Sequence, residues 1–243
     1  MVILSPEKHL AGFLTAVFQV YRNYNNRDVK ISSVEEQNFI DARIEIATEI
    51  SLARRVRNGI IEAGGPGAYQ AVSDAYLSGN REKEEKIRKF LAILFKEKYA
   101  ALTMYQNPDV IAFNDILAKV RNEAHRMRGF LRFRELESGV FYSFFKTDND
   151  ILELVIPHFT ARFNTQKFAI HDIGRGKIAY FDGEKTDILP APENMTITLS
   201  EDEEAYEKLW KDYFKTVAIK ERENKKLQRR FLPKKYRFFM NEF

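Results

Sequence analysis

The chain has 243 residues, 44% of them hydrophobic and 13% aromatic, which is enough for a core in one large or two small domains and excludes a disordered chain. With no cysteine, disulfides, cysteine-held zinc and cysteine-ligated iron–sulfur clusters are excluded, and the net charge of +4 is modest. No uninterrupted apolar stretch approaches the roughly 20 residues of a membrane span, and MVILSPEKHL lacks the basic start and long apolar run of a secretory signal, so a cytoplasmic protein without membrane association is expected.

In chain order, PEKHLAGFLTAVFQVYRNY places Leu10, Phe13, Leu14, Val17, Phe18 and Tyr21 at helical spacing. DVKIS and ARIEIAT read as extended. In the second, Ile44 and Ile46 alternate with Arg43 and Glu45, as in a half-buried strand. Thr48 is placed to cap the next helix, which GGPG at 64–67 breaks. Further helices are expected over about Ala68–Leu77 and Glu82–Leu102. Pro108 suits the first position of another, with Asn107 as its cap. Its buried stripe runs Val110, Phe113, Leu117, Val120, Ala124, Met127, and Gly129 ends it.

FLRFREL and VFYSFFK then read as strands about a turn at 137–139, and DNDILELVIPHFTARF as a helix in which Pro157 is either a kink or a restart. KFAIHD and KIAYFDG form a second hairpin about residues 173–176. Residues 186–194 read as a loop. Ser200 and Glu203 have capping-box spacing before a last long helix, with Tyr206, Leu209, Trp210, Tyr213, Phe214 and Val217 on its buried face and Pro233 as its stop.

The expected fold class is α+β. A helix-rich N-terminal half with short strands (1–128) precedes an antiparallel β-β-α-β-β unit (129–185), and a long basic C-terminal helix and tail (198–243) closes the chain. From Ile219 to Phe239 nine Lys and Arg face two Glu, giving +7 and leaving −3 for the rest. Such a segment fits an anionic partner, and equally a solvated helix with a basic end.

Two constellations carry possible chemistry. AHRMRGFLRFRE (124–135) carries Arg126 and Arg128 on the helix end, then sets Arg132 and Arg134 on one side of a strand with Leu131 and Phe133 on the other. Together with Arg222, Lys225, Lys226, Arg229, Arg230, Lys234, Lys235 and Arg237 they are candidate phosphate ligands, beside aromatics that could stack bases. The competing reading is cations at a helix C-terminus that stabilise its dipole and pair with local Glu. His125, His158 and Asp172 form the second constellation, as general acid, base or metal ligands. Their spacing matches no compact ligand motif, and structural or surface histidines explain them as well. DIGRGK lacks Walker or dinucleotide spacing and reads as a plain turn. Asn194 in NMT is a glycosylation site only in a secreted chain.

Three blocks together, GFLTAVF, EAHRMRGFLRFRE with PHFTARF, and LWKDYFKTVAIKERENKKLQRRFLPKKYRFF, resemble a bacterial family of DNA metabolism or repair proteins known as domain of unknown function 4130. The matching positions include Gly12, Phe13, His125, Arg126, Gly129, Arg132, Pro157, His158, Arg162, Trp210, Tyr213, Arg222, Asn224 and Tyr236. Where family members often carry Trp after the RF block, this chain has Phe168. The resemblance implies one unit over nearly the whole chain and a setting beside a radical S-adenosylmethionine protein. With no cysteine, radical chemistry would reside in that partner. Three expectations follow: an accessory factor binding DNA or the radical partner, with no cofactor of its own; a DNA-processing enzyme of nuclease or base-excision type using His125, His158 and Asp172; or a structural partner subunit without DNA contact.

Overall fold

The computed structural model describes residues 2–24, 29–34, 42–192, 195–217 and 224–240, without the side chains of Glu204, Phe214, Lys215, Lys225 and Arg229. Arg222 and Asn194 lie outside the described residues. The chain divides into two compact units, Met1–Asn122 and Glu123–Phe243.

In the first unit, β1 (Val2–Pro6) is the centre of a three-stranded parallel sheet between β2 (Val29–Ile31) and β3 (Ala42–Ile46). Strand β3 is not the half-buried strand its alternation suggests. It is an edge strand, with Ile44 exposed. Helix α1 (Leu10–Asn23) starts at His9, whose Nδ1 accepts the Gly12 N–H. Helix α2 (Ile50–Tyr76) is capped at Glu49 rather than Thr48, because the Thr48 hydroxyl is taken by Glu7. GGPG breaks the helix as expected: Gly65 leaves helical backbone at φ 80°, ψ 173° and Pro66 begins the second segment.

Helix α3 (Lys83–Glu97) is shorter than expected. Lys98 takes φ 53° and the chain tightens into a 3-10 turn over Lys98–Thr103. Leu4, Phe13, Val17, Ile60, Val72, Phe90, Leu91 and Phe113 pack into one core, in which the Phe90 and Phe113 rings stack 3.9 Å apart. Helix α4 (Pro108–Phe130) begins in this unit, and the Asn107 side chain accepts the Asp109 and Val110 N–H groups, so the expected cap forms.

The second unit begins with the last turns of α4. Its sheet has the order β4 (Arg134–Glu135), β5 (Phe141–Phe145), β6 (Phe168–Asp172), β7 (Lys177–Phe181), β8 (Thr186–Pro190). Helix α5 (Leu152–Arg162) connects β5 to β6, and Pro157 sits inside it without breaking it.

Three expectations change here. The sheet is mixed, not antiparallel: β5 and β6 run parallel because α5 returns the chain to the same end, the geometry of a βαβ crossover. Residues 186–190 are an edge strand antiparallel to β7 rather than loop, with Pro190 as its last residue, opposite Lys177, where an edge strand tolerates proline. The long C-terminal helix is interrupted. Helix α6 (Glu203–Val217) is followed by Asn224 in non-helical backbone (φ −131°, ψ 88°), whose side chain accepts the Leu227 N–H and starts α7 (Lys225–Phe231). Pro233 then separates α7 from α8 (Lys234–Arg237).

The expected capping box is also replaced. Glu203 is buried, and its carboxylate accepts the Glu135 N–H at 2.8 Å, tying the start of α6 to β4. The apolar face of α6 is exposed rather than buried.

Candidate nucleic-acid interface

Strand alternation sorts the second unit's sheet into two faces. Ser143, Phe145, Phe168, Ile170, Asp172, Ala179 and Phe181 lie on one, with α5 packed against β6 and β7. Phe133 joins this side, its ring 5.0 Å from Phe159, 4.9 Å from Phe163 and 5.9 Å from Phe168. The strand expected over FLRFREL forms only at Arg134–Glu135, but the two sides still differ: Leu131 is buried and Phe133 half-buried, while Arg132 and Arg134 line the other side.

That other face carries Arg134, Tyr142, Phe144, His171, Ile178 and Tyr180 by register. A cavity of about 190 Å³ opens on it, lined by Arg132, Arg134, Tyr142, Phe144, Ile197, Leu199 and Phe239. Phe238 and Phe239 stand edge-on to Phe144 at 6.1 and 5.7 Å, and Phe238 is 76% exposed. The Tyr142 hydroxyl and His171 Nδ1 share a hydrogen bond of 2.8 Å. Burial pushes the Tyr142 hydroxyl up to about 12. Burial also holds His171 below its ordinary value, with the Asp172 charge opposing.

The candidate cations separate by what they touch. Arg126 and Arg128 are exposed on the end of α4, and Arg128 donates to the Leu154 carbonyl at 3.1 Å. Arg132 donates to the carbonyls of Gly129 and Leu131, closing the helix end beside the cavity. Lys226, Arg230 and Lys234 are exposed on α7 and α8, and Arg237 is half-buried. Lys235 is a structural residue: its ammonium donates to Asp148 at 2.5 Å and lies 3.7 Å from Glu123 and 4.8 Å over the Tyr236 ring. Burial alone would lower its pKa, but the hydrogen bonds to Asp148 and Tyr236 hold it above the ordinary value.

The three candidate acid–base residues sit on three elements. His125 is exposed on α4 and His158 is exposed on α5, its ring edge-on to Phe159. Asp172 is fully buried on β6, on the opposite sheet face from His171. Its carboxylate accepts the Gly174 and Arg175 N–H groups and pairs with the Arg175 guanidinium at 3.0 Å, so it closes the β6–β7 turn. No three His, Asp or Glu side chains among the described residues gather as a metal site. Nor is any described helix long and apolar enough to cross a membrane.

Sequence reasoning passed over Glu123. This buried carboxylate accepts the Tyr236 hydroxyl, the Asn149 side chain at 2.6 Å and the backbone N–H groups of Asp148 and Asn149. It thereby fastens α8, and with it Phe238 and Phe239, to the body of the unit. A glutamate two residues before a histidine on a helix gives no local sign of this, since its partners lie up to 113 residues away. Tyr142, Ile197 and Leu199 were likewise legible only as apolar residues of their segments.

No curated protein matches this chain. A family model described as a domain of unknown function matches residues 81–242, which takes in the central and C-terminal blocks and leaves GFLTAVF (12–18) outside. The match covers two thirds of the chain and the whole of the sheet bearing the arginine-lined cavity: the protein belongs to the family DUF4130.

Proposed function

We propose that this protein is a nucleic-acid-binding accessory factor in DNA repair or modification, serving a radical S-adenosylmethionine partner enzyme. The observation that carries the reading is the second sheet face: Arg132 and Arg134 edge a cavity floored by Tyr142 and Phe144, with Phe238 exposed beside it. Guanidinium groups suit phosphate oxygens, and aromatic faces suit unstacked bases. Exposed Lys226, Arg230 and Lys234 extend the cationic surface. The accessory role is favoured over the enzyme role because Asp172 is spent on the Arg175 pair and its own turn. The partner enters through the resemblance of the GFLTAVF, EAHRMRGFLRFRE and C-terminal blocks to the family, and a chain without cysteine would leave any radical chemistry to that partner.

The test is fluorescence anisotropy with a labelled single-stranded oligonucleotide and its duplex at low salt. Binding is expected, with a preference for the single strand. Phe238→Ala is expected to weaken it about tenfold, within the 1–3 kcal/mol that base stacking contributes, without altering the thermal melt. Absence of binding at low salt overturns the reading. Co-purification with a radical S-adenosylmethionine protein but no DNA binding would replace it by a structural subunit.

A further inference from the structure

Helix α6 exposes Tyr206, Leu209, Trp210, Tyr213 and Val217, each between 41% and 63%. Their steps of three and four residues place them on one stripe roughly 17 Å long at 1.5 Å per residue. Although uncovered, the stripe belongs to a fixed helix. Buried Glu203 accepts the Glu135 N–H, the Ser200 N–H donates to the Glu135 carbonyl, and Leu199 bridges to Leu136. Trp210 and Tyr213 contact each other, with ring centroids 5.8 Å apart. Large contiguous apolar surfaces on soluble proteins mark interaction sites, and Trp and Tyr supply much of the energy of protein interfaces.

We propose that this stripe is the contact between two copies of the chain, their α6 helices paired antiparallel about a two-fold axis. The charge distribution along the helix selects this occupant. Residues 201–207 hold five acidic groups (Glu201, Asp202, Glu203, Glu204 and Glu207) and no base, whereas 208–217 hold Lys208, Lys211 and Lys215 against Asp212 alone. With Glu203 buried against β4 and Glu207 paired to Lys211 at 2.7 Å within the helix, the contrast between the two ends rests on the remaining groups. Antiparallel pairing sets the acidic end of each copy beside the basic end of the other and opposes the two helix dipoles. Parallel pairing would place like ends together. A two-fold axis forms the contact from one self-complementary patch. The acidic start of the helix disfavours an anionic lipid surface, which calls for a cationic polar face. It equally disfavours nucleic acid, so although the start of α6 is tied to β4 and Glu207 feels the Arg134 charge, the pairing does not depend on the DNA-binding reading.

Trp210 is the only tryptophan of the chain, so its emission reports this contact directly. The test is analytical ultracentrifugation of the full chain, with tryptophan emission recorded from nanomolar to high micromolar concentration. The expected result is a doubling of mass accompanied, over the same range, by a blue shift of the emission. Leu209→Glu is expected to be monomeric throughout with an unchanged circular dichroism melt, because Leu209 is exposed in the single chain. Lys208→Glu is expected to weaken association at least tenfold at low salt. A chain that stays monomeric at the highest concentration overturns the proposal, as does a mass doubling without an emission shift. A blue shift of the monomer on anionic phosphatidylglycerol vesicles, with no self-association, also overturns it. If Leu209→Glu fails to fold, the wild-type emission and mass curves still decide.

Discussion

A carboxylate that is 6% exposed and shared among four donors ties three parts of the second unit together. Glu123 joins α4, the 148–149 backbone and Tyr236, and burial together with its acceptor oxygen pushes the Tyr236 hydroxyl up to about 12. Glu123→Ala strands these buried donors and leaves Lys235 with Asp148 and Tyr236, so a loss of about 3–5 kcal/mol in urea unfolding is expected, as for several buried donors left unsatisfied. Tyr236→Phe removes one hydrogen bond to a carboxylate and should lose about 1.5–3 kcal/mol. His171 acts in the opposite electrostatic sense. Burial depresses its folded pKa below the ordinary 6.5, so its protonation favours the unfolded chain. Its contribution to stability is therefore complete above about pH 6.5, near the unfolded value, and is lost as pH falls through the lower folded value. Urea titrations at stepped pH are expected to show stability decreasing below that point, with a shallower decrease in His171→Gln.

Elements were legible in the sequence where one local rule fixes them. Asn107 before Pro108 marks the start of α4, and GGPG marks the break in α2, because capping and positive-φ requirements act within a few residues. Gly65 makes this testable. At φ 80°, ψ 173° it occupies backbone open essentially only to glycine, and an added Cβ would meet nothing within 4 Å. Gly65→Ala therefore isolates backbone strain from packing and should destabilise by about 1–3 kcal/mol, measured in thermal unfolding of the full chain. Elements were illegible where the answer depends on distant partners. The alternation in 42–46 suits a strand but does not say that its sheet neighbour lies on one side only. The order β-β-α-β-β is compatible with either direction for β6, and only the path of α5 makes it parallel to β5. The stripe on α6 is helical, as its spacing predicts, but exposed rather than buried, since periodicity locates an apolar face without naming what covers it.

At the scale of the whole molecule, the charge sum of +4 hides a segment of +7 set against −3 elsewhere, and the structure divides those cations into two populations. Lys235, exposed like Lys226, Arg230 and Lys234 on α7 and α8, is distinguished from them by its pairs with Asp148 and Glu123. Sequence spacing put Arg132 and Arg134 on one side, as the structure does, although the strand begins only at Arg134 and Arg132 is held by the carbonyls of the helix end. It gave no basis for sorting the later cations, whose roles depend on residues from α4 and the 148–149 loop. The proposed DNA role turns this division into a measurement. Each phosphate neutralised releases condensed counterions, so the logarithm of the binding constant falls linearly with the logarithm of salt, by about 0.7 per contact for a single strand and 0.9 for a duplex. Replacing Lys226, Arg230 and Lys234 together by Ala is expected to reduce that slope by about 2–3, with little change in unfolding free energy. Lys235→Ala is expected to do the reverse, lowering stability while changing the slope by less than one contact. Equal slopes for the wild type and the triple variant would remove α7 and α8 from the interface and confine any nucleic-acid contact to the arginine-edged sheet face.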